Sequence, residues 1–311
     1  MGAIKRGPDF IISGAPRSGS TYLLENLSCH PDIFFPKNQG EHGTGDIHFF
    51  DIGREEGRRN FDKGMDWYLS KFEGAKSSDL TGEKTADYLA DRDAPRLIKR
   101  CFPGVKVVVV LRDPVDRALS HFWHERHNLL RFDNFDDFLS YGKDYEDAHV
   151  ISSGLYYESL CKYLEVFDAS SIKIIISDEM HAQPAVVLAD ICSFLGVRED
   201  FCFPYSDRKI NVGNDDLAVG QVRRISGWLA RRCPKVYSWL RETRFANLVK
   251  SYVARRRGVS GYEAVGAVKA RSRYPIITVG QKEKLKDFYR DDVVKLGGLL
   301  GKDMIRYWWG E

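Results

Sequence analysis

The stretch of the 311-residue chain with the most evident chemical potential runs Gly14-Ala15-Pro16-Arg17-Ser18-Gly19-Ser20-Thr21. Gly14 and Gly19 have the spacing of a G-x-x-x-x-G-K-[ST] phosphate loop, but Ser20-Thr21 stand where that loop carries Lys followed by Ser or Thr. The backbone logic survives the change. Glycines let successive N–H groups converge on an anion, and a helix that follows points its positive end at it. The cation has moved inside the loop, to Arg17. In nucleotide kinases the motif lysine reaches the β and γ phosphates and the next hydroxyl holds Mg²⁺. A loop without that lysine suits a single 5′-phosphate and needs no metal. The plain alternative is a strand–helix turn with incidental glycines, but the apolar strand before and the helix after favour anion binding.

A second candidate anion site is Leu111-Arg112-Asp113-Pro114. It follows an apolar β-branched run, and open α/β sheets bind ligands at the C-terminal ends of their strands. Ser120 lies eight residues beyond Arg112, a little over two helical turns, so the two could share one face of a loop–helix corner. An arginine at a strand tip with a hydroxyl nearby is a sensible clamp for a second phosphate. Taken alone, Arg112 could equally pair with Asp113 or Asp116. The first loop tips the balance toward a clamp.

The elements that must position these residues are legible in outline. Asp9 to Ser13 reads as a buried strand, and Thr21, Leu23, Leu24 and Leu27 mark a helix closing near His30-Pro31. Val105 to Leu111 is the clearest strand, an apolar run expected where helices cover both sheet faces. Asp113 then reads as an N-cap with Pro114 in the first turn. Ile172 to Ile176 gives a third strand, between helices over Leu155–Val166 and Pro184–Leu195, and a weaker strand signal lies at Thr81–Lys84. Together these predict an α/β fold: a doubly wound, mostly parallel sheet with helices on both faces. The expected organisation is a single domain over 1–311. Its core spans about 9–200, a basic, mostly helical elaboration about 201–280, and a terminal helix about 281–300.

Here the residues carry a family resemblance. Phe10 to Thr21 resembles the 5′-phosphosulfate loop of sulfotransferases that use 3′-phosphoadenosine 5′-phosphosulfate (PAPS), and Val108 to Ser120 resembles their 3′-phosphate motif. More narrowly, the chain resembles the sulfotransferase domains of the heparan sulfate N- and 3-O-sulfotransferases and their bacterial relatives. The supporting stretches are Asp46-Ile47-His48-Phe49-Phe50-Asp51, Gly64 to Tyr68, Gly82-Glu83-Lys84-Thr85-Ala86-Asp87-Tyr88 and Phe194 to Val197. The resemblance implies a P-loop-like sulfotransferase fold and metal-independent in-line transfer, with PAPS consumed and 3′-phosphoadenosine 5′-phosphate (PAP) released. It implies that Arg17 neutralises the 5′-phosphate, that Ser18, Gly19, Ser20 and Thr21 donate to it, and that Arg112 and Ser120 hold the 3′-phosphate. Lys84 would lie at the reaction centre. The family's catalytic base is a Glu where this chain has Asp46, one carbon–carbon step shorter, so either the acceptor sits deeper or His48 or Glu41 shares that role. His48 could also be a packed histidine beside Phe49 and Phe50. The loop usually carries Lys where Arg17 stands, a planar fork in place of a point donor. The family's late Lys-Gly-Arg loop over the cofactor is blurred here; Arg271-Ser272-Arg273-Tyr274 is the nearest match, with Lys269 as an alternative start.

Composition bounds the rest. A net charge of +3 does not announce a nucleic-acid partner, but Val222 to Arg257 holds eleven Lys/Arg and one acid, Glu242. Its apolar residues recur at helical spacing, so it reads as amphipathic helices with a solvated charged face. The sharper reading is a surface for an anionic acceptor or an acidic membrane. No leader-type h-region opens the chain, no apolar run is long enough to span a membrane, and six scattered cysteines suit free thiols; a cytoplasmic protein is the expectation. The acceptor could be a saccharide, a glycolipid, a carrier-bound intermediate or a small natural product. Two rival readings remain: a P-loop kinase or NTPase, which the missing lysine disfavours, and a non-catalytic nucleotide- or nucleic-acid-binding module.

Overall fold

The four runs read as strands, joined by a two-residue strand at Ile33–Phe34 that was not read, assemble into a five-stranded, all-parallel sheet. Its strands are β1 (Phe10–Ile12), β2 (Ile33–Phe34), β3 (Leu80–Lys84), β4 (Lys106–Leu111) and β5 (Ile172–Ile176), in the order β2-β3-β1-β4-β5. The computed structural model describes residues 6–36, 45–125, 135, 145–207 and 278–311. The chain divides into two compact units, one of residues 1–210 with 277–311 and one of residues 211–276. The second unit lies outside the described residues, and with it the basic stretch 222–257 and Arg271 to Tyr274; Glu41 lies outside them too.

Within the first unit the described helices are α1 (Ser20–Leu27), α2 (Glu55–Phe61), α3 (Met65–Ser70), α4 (Ala94–Cys101), α5 (Pro114–Glu125), α6 (Tyr145–Ser152), α7 (Tyr156–Leu164), α8 (Ser177–Ala182), α9 (Pro184–Leu195), α10 (Val279–Leu300) and α11 (Met304–Trp309). Because strand side chains alternate, each central strand feeds two cores. Ile11, Val107, Val109 and Leu111 enter the core covered by α4, α5, α7 and α10. Phe10, Ile12, Val108 and Val110 enter the opposite one, with Leu23 and Leu27 of α1 and Leu188, Ile191 and Leu195 of α9. Each fully buried side chain of this kind contributes about 1.5–3 kcal/mol. Two-sided burial therefore explains why these strands read as continuous apolar runs.

The last long helix is anchored to the same unit. Thr278 and Gln281 close a reciprocal capping box at its start, and the Asp292 carboxylate accepts from the Tyr156 N–H at 2.8 Å, satisfying the first turn of α7. Among the described residues no helix is long and apolar enough to cross a membrane.

Register brings the functional edge together. Ile12, the last residue of β1, lies beside Lys84, the last of β3, and beside Val108, from which β4 runs three residues further to Leu111. Strand order reverses about β1, with β3 and β2 on one side and β4 and β5 on the other, the arrangement that opens a ligand crevice beyond the strand ends.

Candidate active site

The loop after β1 is pressed between its neighbours. Ala15 N–H donates to the Val110 carbonyl of β4 at 2.7 Å, and Leu89 N–H, beyond β3, donates to the Ser13 carbonyl at 2.7 Å. Gly14 is required here: its φ is +134°, and a Cβ would lie 2.4 Å from the Ala86 carbonyl oxygen. Gly19, at φ +111°, caps α1 without a side chain, so the first N–H groups of the helix receive no side-chain cap. The Ser18 hydroxyl is buried, with the residue 1% exposed, and faces the Tyr156 hydroxyl, which donates to the Arg112 carbonyl at 2.9 Å. A buried hydroxyl at a helix start that has no side-chain cap fits a bound anion.

The structure joins this loop to the second predicted clamp. Arg17 Nε donates to Ser120 Oγ at 3.3 Å, and Arg112 donates to the Arg17 carbonyl at 3.4 Å. Ser120 therefore meets the guanidinium of the first loop, where the spacing had paired it with Arg112. Asp113 caps α5 by accepting from the Val115 N–H at 2.8 Å, and Arg112 lies 3.9 Å from Asp116, one of the two partners foreseen for it. Arg17, Ser18, Gly19, Ser20, Thr21, Arg112 and Ser120 thus lie along the C-terminal ends of β1 and β4, the first turn of α1 and the second turn of α5.

On the other side of β1, the tip of β3 carries the remaining candidates. Lys84 Nζ lies 2.7 Å from Asp46 Oδ1, and both residues are nearly buried. His48 lies with Nε2 4.0 Å from Asp46 Oδ2, while its Nδ1–H donates to Asp51 Oδ2 at 2.6 Å. His48 is packed, as its aromatic neighbours suggested, but it is also ionically engaged. Thr85 binds their loop to β3: its hydroxyl accepts from the N–H groups of Ile47 at 3.0 Å and His48 at 3.3 Å, and donates to Glu83 at 2.9 Å. Tyr88 and Asn60 hold the same loop, through Phe49 N–H at 2.9 Å and the Ile47 carbonyl at 3.0 Å. Among the described residues, Arg17 (φ 66°) and His48 (φ 50°) are the two non-glycine residues in the left-handed region. Such conformations cost of order 1–3 kcal/mol and concentrate where function demands them.

Charge is unevenly distributed across this floor. Burial raises the Asp46 carboxyl above its usual range, against the opposing pull of Lys84 and His48. Burial also works against a charged His48, but the hydrogen bond to Asp51 and the charges of Asp51, Asp87 and Asp46 outweigh it and raise the imidazole to about 9. Asp87 behaves oppositely. Burial favours its neutral form, yet Arg54 at 2.9 Å, His149 at 2.7 Å and the charge of His48 hold it well below the carboxylate range. His48, Asp51 and Asp87 bring one donor atom each within 4.8 Å of one another. Those donors are engaged with each other, Arg54 and His149, so the cluster reads as an ion-pair network.

Asp51, Thr85, Asp87, Arg54 and His149 were not singled out by sequence. Asp51 had a signal, its place three residues after His48; His149 lies 62 residues from Asp87 and had none. A positioned carboxylate and imidazole, a lysine and two arginine-centred anion clamps along one sheet edge can grip a doubly phosphorylated nucleotide and take a proton from an acceptor beside it.

Residues 7–203 match the sulfotransferase domain family. A bifunctional heparan sulfate N-deacetylase/N-sulfotransferase 1 from Caenorhabditis elegans is 32% identical over 206 residues, covering 64% of this chain and 23% of that protein. The human heparan sulfate glucosamine 3-O-sulfotransferase 6 is 29% identical over 197 residues, covering 62% of this chain and 54% of that protein. The chain therefore spans about a quarter of the first relative and about half of the second. A solved sulfotransferase from Alicyclobacillus acidocaldarius has the same fold, with a TM-score of 0.65 at 23% identity over 96% of this chain and 97% of that one. With its family match covering more than half of its length and its clamps and carboxylate on one sheet edge, the chain belongs to the sulfotransferase family.

Proposed function

We propose that the chain transfers the sulfuryl group of PAPS to a hydroxyl or amine of a saccharide acceptor. The observation that carries the reading is the joining of Arg17, Arg112 and Ser120 across the tips of β1 and β4, with the Asp46–Lys84 pair at the tip of β3. The saccharide acceptor rests on the names of the relatives, both of which act on heparan sulfate. A glycolipid or small natural product is the runner-up.

Bound along this edge, PAPS supplies an activated sulfuryl group. Arg17, Ser18 and the N–H groups of Gly19 to Thr21 hold the 5′-phosphate, and Arg112 with Ser120 holds the 3′-phosphate. A bond forms from the acceptor oxygen or nitrogen to sulfur as the bond from sulfur to the 5′-phosphate oxygen breaks. The electron pair stays on that oxygen, where Arg17 and the positive end of α1 offset the gathering charge. Asp46 takes the acceptor proton, and Lys84 and His48 keep its carboxylate ionised and oriented.

Arg17→Ala tests the reading. It should lower transfer from PAPS by at least about 10²-fold and abolish the thermal stabilisation given by PAP. Near-normal turnover, or stabilisation by ATP with Mg²⁺ in place of PAP, would sink it in favour of the kinase alternative.

A further inference from the structure

Resting on that reading, we propose that Asp87 is a positioning residue for sulfuryl transfer, closing a cage of three carboxylates around His48 that keeps Nε2 of the ring turned toward Asp46. Asp87 lies in the short 3₁₀ turn Ala86–Leu89 that follows β3, three residues after Lys84. Its Oδ2 is 3.9 Å from His48 Nδ1, while Asp51 takes the hydrogen bond from that nitrogen at 2.6 Å and Asp46 faces the opposite nitrogen at 4.0 Å. Two anions on the Nδ1 side fix the proton there. They also favour a second proton on Nε2, which then presents a donor to Asp46.

The carboxylate of Asp87 is itself held from two other elements. Arg54, the residue preceding α2, and His149, on α6, both bind Oδ1. Behind His149 the His121 ring lies nearly perpendicular to it at a centroid distance of 5.9 Å, and Arg117 donates to His121 Nδ1 at 3.0 Å. Arg117 is fully buried and also binds the carbonyls of Val150 and Ile151 on α6. Asp87 therefore links the acceptor side to α5, which carries Ser120. The groups facing His48 are Asp46 and Asp51 from its own loop, Asp87 from the turn, and Lys84 of β3 beyond Asp46. Those facing Asp87 are Arg54, His149 and His48, with His121 one ring further away.

The consequence is a pH dependence. When His48 loses its Nε2 proton, the donor facing Asp46 becomes a lone pair, the positive charge beside the base disappears, and turnover falls. Since those carboxylates raise the imidazole to about 9, the limb of the wild-type protein is expected near that pH. Asp87→Asn keeps the shape and removes the charge, so the limb of kcat should move down by about one pH unit. PAP affinity should stay within about twofold, and Asp87→Glu should return the limb toward its original place. A merely structural role would lower stability or all kinetic constants together and leave the limb where it was. An unmoved limb in folded Asp87→Asn overturns the inference. Should that variant not fold, NMR titration of His48 in the wild-type protein decides: a midpoint above pH 8 supports the cage, and one near the ordinary 6.5 overturns it. Loss of PAP binding in wild type and variant alike would sink the sulfuryl-transfer reading itself; PAP binding with an unmoved limb sinks this inference alone.

Discussion

In the proposed reaction one buried carboxylate, Asp46, serves both as a stable ion-pair partner and as the base. Its bond to Lys84 at 2.7 Å and the nearby imidazole of His48 oppose the burial that would otherwise neutralise it. The backbone of its loop is held by Thr85, Tyr88 and Asn60. Asp46→Asn keeps size and removes the proton acceptor. It should lower kcat by about 10²–10⁴ while PAP affinity stays nearly intact, since Arg17, Ser120 and Arg112 are untouched. Single-turnover kinetics together with PAP titration checks this, and a loss of both constants would place Asp46 in binding instead. The clamp residues were legible because glycine spacing and a strand tip carry local meaning. Asp87 and His149 were not, since their pairing arises only when a turn after β3 meets a helix far along the chain. Ser120 was read beside Arg112, and in the fold its hydroxyl meets Arg17 Nε, because helical spacing says which face a residue occupies and nothing about which loop folds over it.

At the scale of elements, what read clearly from sequence were the strands buried on both faces and the long helices beside them. β4, β5 and α9 stand where the apolar runs placed them. β2 is two residues long, and α2 and α3, of seven and six residues, are too short for a helical period to declare itself. Yet these short pieces border the Asp46–Lys84 pair: the loop of Asp46 and His48 runs into α2 and is held by Thr85, Tyr88 and Asn60. Thr85 accepts two backbone N–H groups from that loop and donates to Glu83. Thr85→Val preserves volume and deletes all three bonds, leaving buried N–H groups unpaired. The expected cost is about 1–3 kcal/mol in urea unfolding. A fall in kcat larger than the fall in PAP affinity should accompany it, because the displaced loop carries the base and the phosphate clamps are on other strands. Equal losses would mean that the loop does not depend on this hydroxyl.

Across the whole molecule, the alternation of β3 separates chemistry from stability. Lys84 meets Asp46, whereas its neighbour Glu83 is fully buried and accepts from the hydroxyls of Tyr68 and Thr85. Burial raises Glu83 from 4.5 to about 7, despite those hydrogen bonds. The folded protein therefore keeps this proton up to about pH 7, while the unfolded chain releases it near 4.5. Between those values folding takes up a proton, so stability contributed at Glu83 is complete below the lower value and is lost as pH rises through the upper one. Asp87, held below its ordinary range, has the opposite sign: its contribution is present at neutral pH and is lost on acidification. Total stability mixes the two, so the comparison must be with Glu83→Gln, which cannot titrate there. From pH 4.5 to 8 the wild-type protein should lose about 3 kcal/mol relative to that variant, the free energy of a shift of this size. Urea unfolding of both proteins at the two pH values reads the difference directly. A gap that does not change with pH would show Glu83 to be ionised in the fold, with Tyr68 and Thr85 stabilising its charge instead of sharing its burial.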